Sequence, residues 1–207
     1  DFEIYPLLVA DITSPAPQCF DNNSFDFLAA GNFTSDATFL WDFGNSATPQ
    51  TSAQQNPTGI SFSNLGASSV TLTITQYGCT DTFIGNGNVL TVTPPVAEIA
   101  PVNQYCVGYQ IDFTNNSTNS NSWNWDFGIN NIVTDTSHLF EPNYIYPDSG
   151  IYNVTLIAYN QGICSDTANL SFWVFPLLNP AIDGAEDQCL EGNNFDFAVA
   201  GAYTTDA

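Results

Sequence analysis

The most informative feature of this sequence is an absence: its 207 residues include no lysine and no arginine, against 21 aspartates and glutamates. An ordinary chain of this length would carry about 25 cationic side chains. Without them the chain cannot cradle phosphates with a P-loop lysine, form a lysine Schiff base, or neutralise the phosphates of nucleic acid or anionic lipid. Those function classes are excluded, and no nucleic-acid partner is expected.

Charge of either sign is scarce, because only 10% of the residues are charged while 43% are hydrophobic. Halophilic adaptation therefore fits poorly as the reason for the net charge of -21. The composition predicts a neutral, polar surface rich in Asn, Ser and Thr, whose carboxylates take their counter-ions from solvent. No apolar span is visible, so we expect no direct membrane insertion in this segment.

The sequence repeats on two scales. WDFG occurs at Trp41–Gly44 and again 84 residues later at Trp125–Gly128, and VTLTITQYGCTDT (70–82) returns as VTLIAYNQGICSDT (154–167). Residues 171–207 match residues 1–37 at an offset of 170, which aligns Pro176 with Pro6. The pattern predicts an array of alternating modules whose partners include further copies of the same modules in the same chain.

The periods define four segments. Residues 1–6 are predicted to be the last strand of a preceding module, 7–94 and 95–175 two complete modules, and 176–207 the start of a further, truncated module. The modules join at Pro94-Pro95 and at Phe175-Pro176 with almost no linker. Such short, proline-bearing joints predict an extended, semi-rigid rod.

Within each module the pattern is that of short β-strands. Segments such as VTLTIT, YNVTLIAY and NLSFWVF alternate with period 2 and are rich in Val, Ile, Thr and aromatic residues, with Gly, Pro and Asn between them. About seven short strands in 84 residues predict a β-sandwich, so the predicted class is all-β.

Five cysteines follow the modules: Cys19 and Cys79, Cys106 and Cys164, then Cys189. The separations of 60 and 58 repeat, and no CxxC is present for a zinc site. Module equivalence therefore predicts the bonds Cys19–Cys79 and Cys106–Cys164, with Cys189 pairing beyond Ala207. Disulfides imply an oxidising, extracytoplasmic location. We expect the chain to be extracellular, at the cell surface.

The motifs of the second module resemble those of the PKD domain, an immunoglobulin-like sandwich. WDFG, EPNYIY and GIYNVTL stand in the order of that family's pattern, and the first module follows it with Ser69 in place of one tyrosine. The missing aspartate of the family's FGDG weakens any calcium role carried over from it. The cysteines that bracket each module are similar to those of long secreted cell-surface adhesins of Bacteroidota, which include gliding species.

The conspicuous residues have structural interpretations. Trp41, Phe43, Trp125 and Phe127 are predicted to be core, and His138 is expected in a solvated loop. Recurring aspartates are interpreted as turn caps, so no catalytic residue and no enzyme activity are predicted. Calcium at the joints is the one cofactor considered, and its candidate ligands are the carboxylates of Asp11, Glu98, Asp183 and Glu186.

Three functions compete on this evidence. A structural or adhesive stretch of a large acidic extracellular filament, an adhesin serving gliding or surface attachment, accounts for the repetition, and polysaccharide or abiotic surfaces would be its partners. The alternatives are accessory modules (spacers or carbohydrate binders) of a secreted hydrolase, and a surface-layer or sheath protein. The continuing 170-residue period favours the filament.

Overall fold

A computed structural model describes residues 5–130, 132–183 and 198–202. Every element named in these ranges is a β-strand, which confirms the predicted all-β class. The chain forms two compact units. Unit 1 comprises the chain up to Ala97 with Ser117–Ser122 and Ala158–Asp166, and unit 2 comprises Glu98–Asn116, Trp123–Ile157 and the chain from Thr167 onward.

The first repeat forms eleven short strands. Their bounds are β1 Val9–Thr13, β2 Gln18–Cys19, β3 Leu28–Asn32, β4 Thr38–Asp42, β5 Ala47–Thr48, β6 Thr51–Ser52, β7 Ser61–Phe62, β8 Gly66–Ser68, β9 Thr71–Gln76, β10 Cys79–Ile84 and β11 Val89–Val92. These strands pair into sheets with the orders β10-β9-β4-β6, β2-β11-β8, β1-β3 and β5-β7.

A long interrupted hairpin closes the first repeat. Strand β10 pairs antiparallel with β9 from Cys79↔Gln76 to Ile84↔Thr71, and β11 continues along β8 from Val89↔Ser68. The turn is tight because Tyr77 and Gly78 both have positive φ, 51° and 80°, as a two-residue hairpin turn requires. The open end of the hairpin receives β2 in parallel, with Cys19 opposite Val92.

The second repeat reproduces this plan with longer strands. The bounds are β12 Tyr105–Cys106, β13 Gln110–Asp112, β14 Ser122–Asp126, β15 Thr136–Ser137, β16 Asn143–Ile145, β17 Gly150–Asn160 and β18 Cys164–Phe175. Strand β18 pairs with β17 in a five-stranded sheet of order β12-β18-β17-β14-β15, and β13 pairs with β16. Strand β12 lies parallel to the end of β18, with Cys106 opposite Phe175.

Each repeat has its own aromatic core around the tryptophan of WDFG. Trp41 and Trp125 are both fully buried, and Phe43 and Phe127 lie beside them. Each indole N–H donates to a backbone carbonyl, that of Gln54 (2.9 Å) for Trp41 and that of Leu139 (3.0 Å) for Trp125. The buried polar edge of each ring is therefore satisfied in the same way.

The rest of the WDFG motif is explained by a local turn. The carboxylate of Asp42 accepts the N–H of Gly44 at 2.9 Å, and that of Asp126 accepts the N–H of Gly128 at 2.8 Å. The glycine φ values are 80° and 79°, a region that favours glycine. At Gly128 a Cβ atom would also lie 2.3 Å from the carbonyl oxygen of Asn153, so no larger residue fits.

Among the residues described after Phe175, β19 Asn179–Asp183 pairs with β20 Ala198–Ala202. The sequence match between this segment and the start of the first repeat extends to the pairing, because β1 and β3 also pair antiparallel over five residues. Among the described residues, no helix is long and apolar enough to cross a membrane. The predicted boundaries at 94/95 and 175/176 stay predictions. The two compact units do not test them, because unit 1 also includes Ser117–Ser122 and Ala158–Asp166 from the second repeat.

Candidate functional site: the cysteine-bearing strand ends

The disulfide in the structure is not one of the two predicted. Cys19 bonds to Cys164, 145 residues further along the chain, whereas Cys79 and Cys106 are free. The predicted bonds Cys19–Cys79 and Cys106–Cys164 are therefore corrected, and Cys189 lies outside the described residues. The observed bond joins the two sequence repeats, although both of its cysteines belong to unit 1.

The reason for the correction is the length of the closing strand of each repeat, which is the arm β10–β11 in the first repeat and β18 in the second. In the second repeat Cys164 begins β18, and Cys106 pairs with Phe175 at the other end of the same strand. The 11 residue steps between 164 and 175 span roughly 36 Å at the rise of an extended strand. A disulfide needs Cα atoms within about 7 Å, so the two cysteines of one repeat cannot meet.

The same argument applies to the first repeat. Cys79 follows the hairpin turn, and Cys19 pairs with Val92 at the open end of that hairpin. Between Cys79 and Val92 the hairpin arm covers 13 residue steps, roughly 40 Å if fully extended. The cysteines therefore occupy equivalent positions in the two repeats, but the two cysteines within one repeat lie at opposite ends of its closing strand.

The bonded pair lies among backbone groups of the strand that ends the first repeat. The Cα atoms of Cys19 and Cys164 are 5.1 Å apart, and Cys164 is buried. The sulfur of Cys164 lies 3.3 Å from the carbonyl oxygen of Val92, and the side-chain amide of Asn160 donates to the carbonyl of Thr93 at 2.8 Å. The hairpin turn that precedes Cys164 is thus held against the residues that follow β11.

The two free cysteines have the same local settings as the bonded ones. Cys106 matches Cys19, because each pairs in parallel with the end of the closing strand. In both places the next residue donates its N–H to that strand, Phe20 to Val92 and Val107 to Phe175, each at 2.9 Å. Cys106 is partly buried.

Cys79 matches Cys164. Each follows a hairpin turn with two successive positive φ values, 51° and 80° at Tyr77 and Gly78 and 54° and 67° at Gln161 and Gly162. The difference is exposure, since Cys79 is exposed while Cys164 is 2% exposed. Two otherwise equivalent positions therefore differ in what covers the sulfur.

Cys79 lines a cavity, and Cys106 pairs with a strand end that borders a second one. In unit 1, Cys79 lines a cavity of about 160 Å³ together with Tyr5, Pro6 and Tyr77, and the rings of Tyr5 and Tyr77 stack with centroids 4.1 Å apart. In unit 2, a wider pocket of about 690 Å³ is bounded by Val174, Phe175 and Pro176, at the strand end with which Cys106 pairs.

The recurring aspartates cap backbone groups. Asp81 accepts the N–H of Ala10 at 2.7 Å, and its counterpart Asp166 accepts the N–H of Ala97 at 2.9 Å. Asp26 accepts the N–H of Gly59 at 3.0 Å. Asp81 and Asp166 thus accept from the first residues of each repeat, and Asp26 accepts from the segment before β7, which matches the interpretation of recurring aspartates as caps. Asp196, the counterpart of Asp26, lies outside the described residues.

The calcium candidates are not assembled into a site in the described part of the chain. No group of three or more His, Cys, Asp or Glu side chains that could hold a metal occurs there. Asp11 accepts the N–H of Ile12 at 2.8 Å, Glu98 belongs to unit 2, and only the backbone of Asp183 is described. Glu186 lies outside the described residues. Calcium at the joints stays a prediction.

Two further side chains complete the electrostatics. His138 is exposed, and its Nδ1 lies 3.1 Å from the carbonyl oxygen of Trp123. In unit 2, burial is the main reason that the pKa of Tyr146 is raised far above its ordinary value, with the neighbouring Tyr144 and Tyr152 adding to the effect. The buried Tyr146 hydroxyl donates to the carbonyl of Phe127 at 2.9 Å, a bond that the sequence did not reveal.

Residues 92–174 match the protein family described as PKD domain. Among curated proteins, none matches this sequence. Similar solved structures include the PKD1 domain of Vibrio anguillarum Epp, which is 23% identical, with 41% of this chain and 96% of that one covered and a TM-score of 0.34.

A second PKD1 domain, from the Vibrio cholerae metalloprotease PrtV, is 30% identical, with 40% of this chain and 98% of that one covered and a TM-score of 0.33. The fibronectin(III)-like modules of Clostridium thermocellum CbhA are 11% identical, with 82% of this chain and 95% of that one covered and a TM-score of 0.44.

Proposed function

Since residues 92–174 match the PKD domain family, and residues before them repeat the same buried core, we propose that this chain is a non-enzymatic repeat segment of a large extracellular filament. Domains of this type are typical of extracellular accessory or adhesive modules, and the disulfide fits an oxidising compartment. The proposed filament is a cell-surface adhesin, resembling those of Bacteroidota, that serves attachment or gliding.

The observation that carries this proposal is the repetition of structure together with sequence. Both repeats bury the WDFG tryptophan and bond its indole N–H to a carbonyl, and both cap the entering chain with an aspartate. A unit that repeats its core and its entry contacts can be added many times, so the length of a filament grows with copy number.

The surface chemistry supports contact with neutral ligands. With no cationic side chain, the chain can meet polysaccharide or abiotic surfaces by hydrogen bonds from Asn, Ser and Thr and by stacking on exposed aromatic rings. Trp173 is 54% exposed and stacks on Phe175 with centroids 6.1 Å apart. Adhesion of this kind comes from many weak contacts along the array.

The proposal is tested by deleting the gene in its source organism and measuring attachment to polysaccharide-coated and glass surfaces. We expect attachment or spreading to fall, and the complete reading frame to encode many more copies at the 170-residue period with a cell-surface sorting segment. Unchanged attachment, together with a reading frame that holds only these repeats beside a hydrolase domain, would favour accessory modules of a secreted hydrolase instead.

A further inference from the structure

We propose that the Cys19–Cys164 bond is one link of a regular series, in which the first cysteine of each repeat bonds to the second cysteine of the repeat that follows. Cys106 then bonds to the counterpart of Cys79 in the next repeat, and Cys79 bonds to the counterpart of Cys106 in the preceding one. The inference deepens the proposed function and rests on it only in requiring further repeats on both sides.

The first support is the equivalence of the positions. Cys19 and Cys106 share the parallel pairing and the 2.9 Å N–H bond of the residue that follows them. Cys79 and Cys164 share the hairpin turn and an aspartate two residues later that caps the entering chain. Since Cys19 bonds to Cys164, Cys106 and Cys79 have the local structure to form the same kind of bond with counterparts in neighbouring repeats.

The second support is Tyr5, which marks the place of the missing partner of Cys79. Ala10 and Ala97 are bound by equivalent aspartates, and five residues before them stand Tyr5 and Val92. Val92 is the residue that pairs with Cys19 and whose carbonyl touches Cys164. Tyr5 in turn lines the cavity beside Cys79. A cysteine paired in register with Tyr5 would therefore reach Cys79.

The repeat period identifies that cysteine independently. At the offset of 170, Tyr5 corresponds to Phe175, and the residue paired with Phe175 is Cys106. The occupant of the space beside Cys79 is accordingly the strand end of a preceding repeat that carries the Cys106 counterpart. Burial supports the same occupant, because the corresponding strand end covers Cys164 and leaves it 2% exposed.

The chemistry of each link is a two-electron oxidation. Two thiols lose two protons and two electrons and form one S–S bond, and a disulfide oxidant, either a thiol–disulfide oxidoreductase or oxidised glutathione, is reduced to two thiols. Formation of each disulfide is favoured where the fold holds the two strand ends together, because this raises the effective concentration of one thiol at the other.

The consequence for a filament is resistance to stretching. Under tension the force is transmitted from Cys19 to Cys164 through the disulfide. Only the 25 residues from Cys164 to Cys189 then carry it along the backbone before the next disulfide. Per period of 170 residues, about 25 would therefore bear the load. Unfolding of the residues that a bond bypasses, such as 20–163, would not lengthen this path until the bond is reduced.

The test uses the full chain followed directly by a second copy that starts at Thr38, which continues the period unbroken because 207 − 37 = 170. The protein is refolded with oxidised glutathione, digested with chymotrypsin without reduction, and mapped by mass spectrometry. We expect three bonds: Cys19 to the first Cys164, the first Cys106 to the second Cys79, and the first Cys189 to the second Cys164.

Matched variants identify the links. Cys106→Ser in the first copy should leave the second Cys79 as a free thiol, whereas Cys79→Ser in the first copy should change no bond. Bridges within a repeat, such as Cys106 to Cys164 of the same copy, or free thiols at both Cys106 and the second Cys79, would overturn the proposal.

A measurement on the single chain covers the case in which the tandem chain does not fold. Alkylation of the oxidised, folded 207-residue chain should modify Cys79 and Cys106 and spare Cys19 and Cys164. Protection of Cys79 and Cys106 by a bond within this chain would contradict the proposal. Neither measurement reads adhesion, so a failed series of links leaves the proposed adhesive function to its own test.

Discussion

The two repeats agree in their interiors and differ at their cysteines. Trp41 and Trp125 are both fully buried and satisfied in the same way, yet Cys164 is buried and bonded while the equivalent Cys79 is exposed and free. The core of each repeat is thus formed by its own residues, whereas the second cysteine of the second repeat takes its partner from the first repeat. Variants that act on one repeat or on the link between them separate these two kinds of stability.

The largest expected effect is loss of a core tryptophan. Trp125→Ala should lower the free energy of unfolding by about 3–5 kcal/mol, because it removes a fully buried indole and its bond to Leu139. Trp41→Ala should cost a similar amount in the first repeat. Urea unfolding measures both, with the exposed Trp173→Ala as the control that should change little. A mild loss from Trp125→Ala would contradict the role of WDFG as core.

The next effect concerns the link. Cys19→Ser should lower the free energy of unfolding under oxidising conditions by about 2–4 kcal/mol, because the bond closes a long loop in the unfolded chain. Cys79→Ser, at an unbonded position, should leave stability unchanged. Thermal unfolding with and without reductant measures the difference. Equal losses from the two variants would indicate a Cys19–Cys79 bond in place of Cys19–Cys164.

A smaller effect distinguishes the second repeat. Tyr146→Phe should cost about 1 kcal/mol, since the Phe127 carbonyl loses its buried partner, while the exposed Tyr109→Phe should be neutral. Chemical unfolding at neutral pH measures both. A neutral Tyr146→Phe would show that this bond adds nothing to the core.

The same tyrosine predicts a pH dependence. Burial raises the pKa of Tyr146 in the folded state, so above about pH 10 the unfolded chain loses a proton that the folded chain keeps. Stability should therefore be constant with respect to this group below about pH 10 and fall as pH rises further. Unfolding measured from pH 8 to 11 should show a shallower fall for Tyr146→Phe, and an unchanged slope would exclude this group as its cause.

An equally small effect tests whether the two aspartates that bind the start of each repeat are equivalent. Asp81→Ala removes the acceptor of the Ala10 N–H, and Asp166→Ala removes that of the Ala97 N–H. Each should cost about 1 kcal/mol in urea unfolding, because each leaves one charge-assisted hydrogen bond unmade. A large loss from one variant and none from the other would break the equivalence of the two repeats.

Much of this fold could be predicted from sequence because its signals are local and repeated. Period-2 alternation gave the strands, and recurrence of WDFG gave two cores with Trp41 and Trp125 at their centres. The disulfide prediction was wrong because recurrence shows that positions are equivalent and does not show which positions are close. The twelve residues from Cys164 to Phe175 form one strand, and Cys106 pairs with its last residue. The length of this strand therefore excludes a bond between Cys106 and Cys164.

The most direct measurement is a disulfide map of the oxidised 207-residue chain after chymotryptic digestion without reduction. The account predicts a peptide pair that joins Cys19 to Cys164, with Cys79 and Cys106 recovered as thiols. Peptide pairs that join Cys19 to Cys79 and Cys106 to Cys164 would contradict it, because Cys19 and Cys106 pair with the far ends of the closing strands that begin at Cys79 and Cys164.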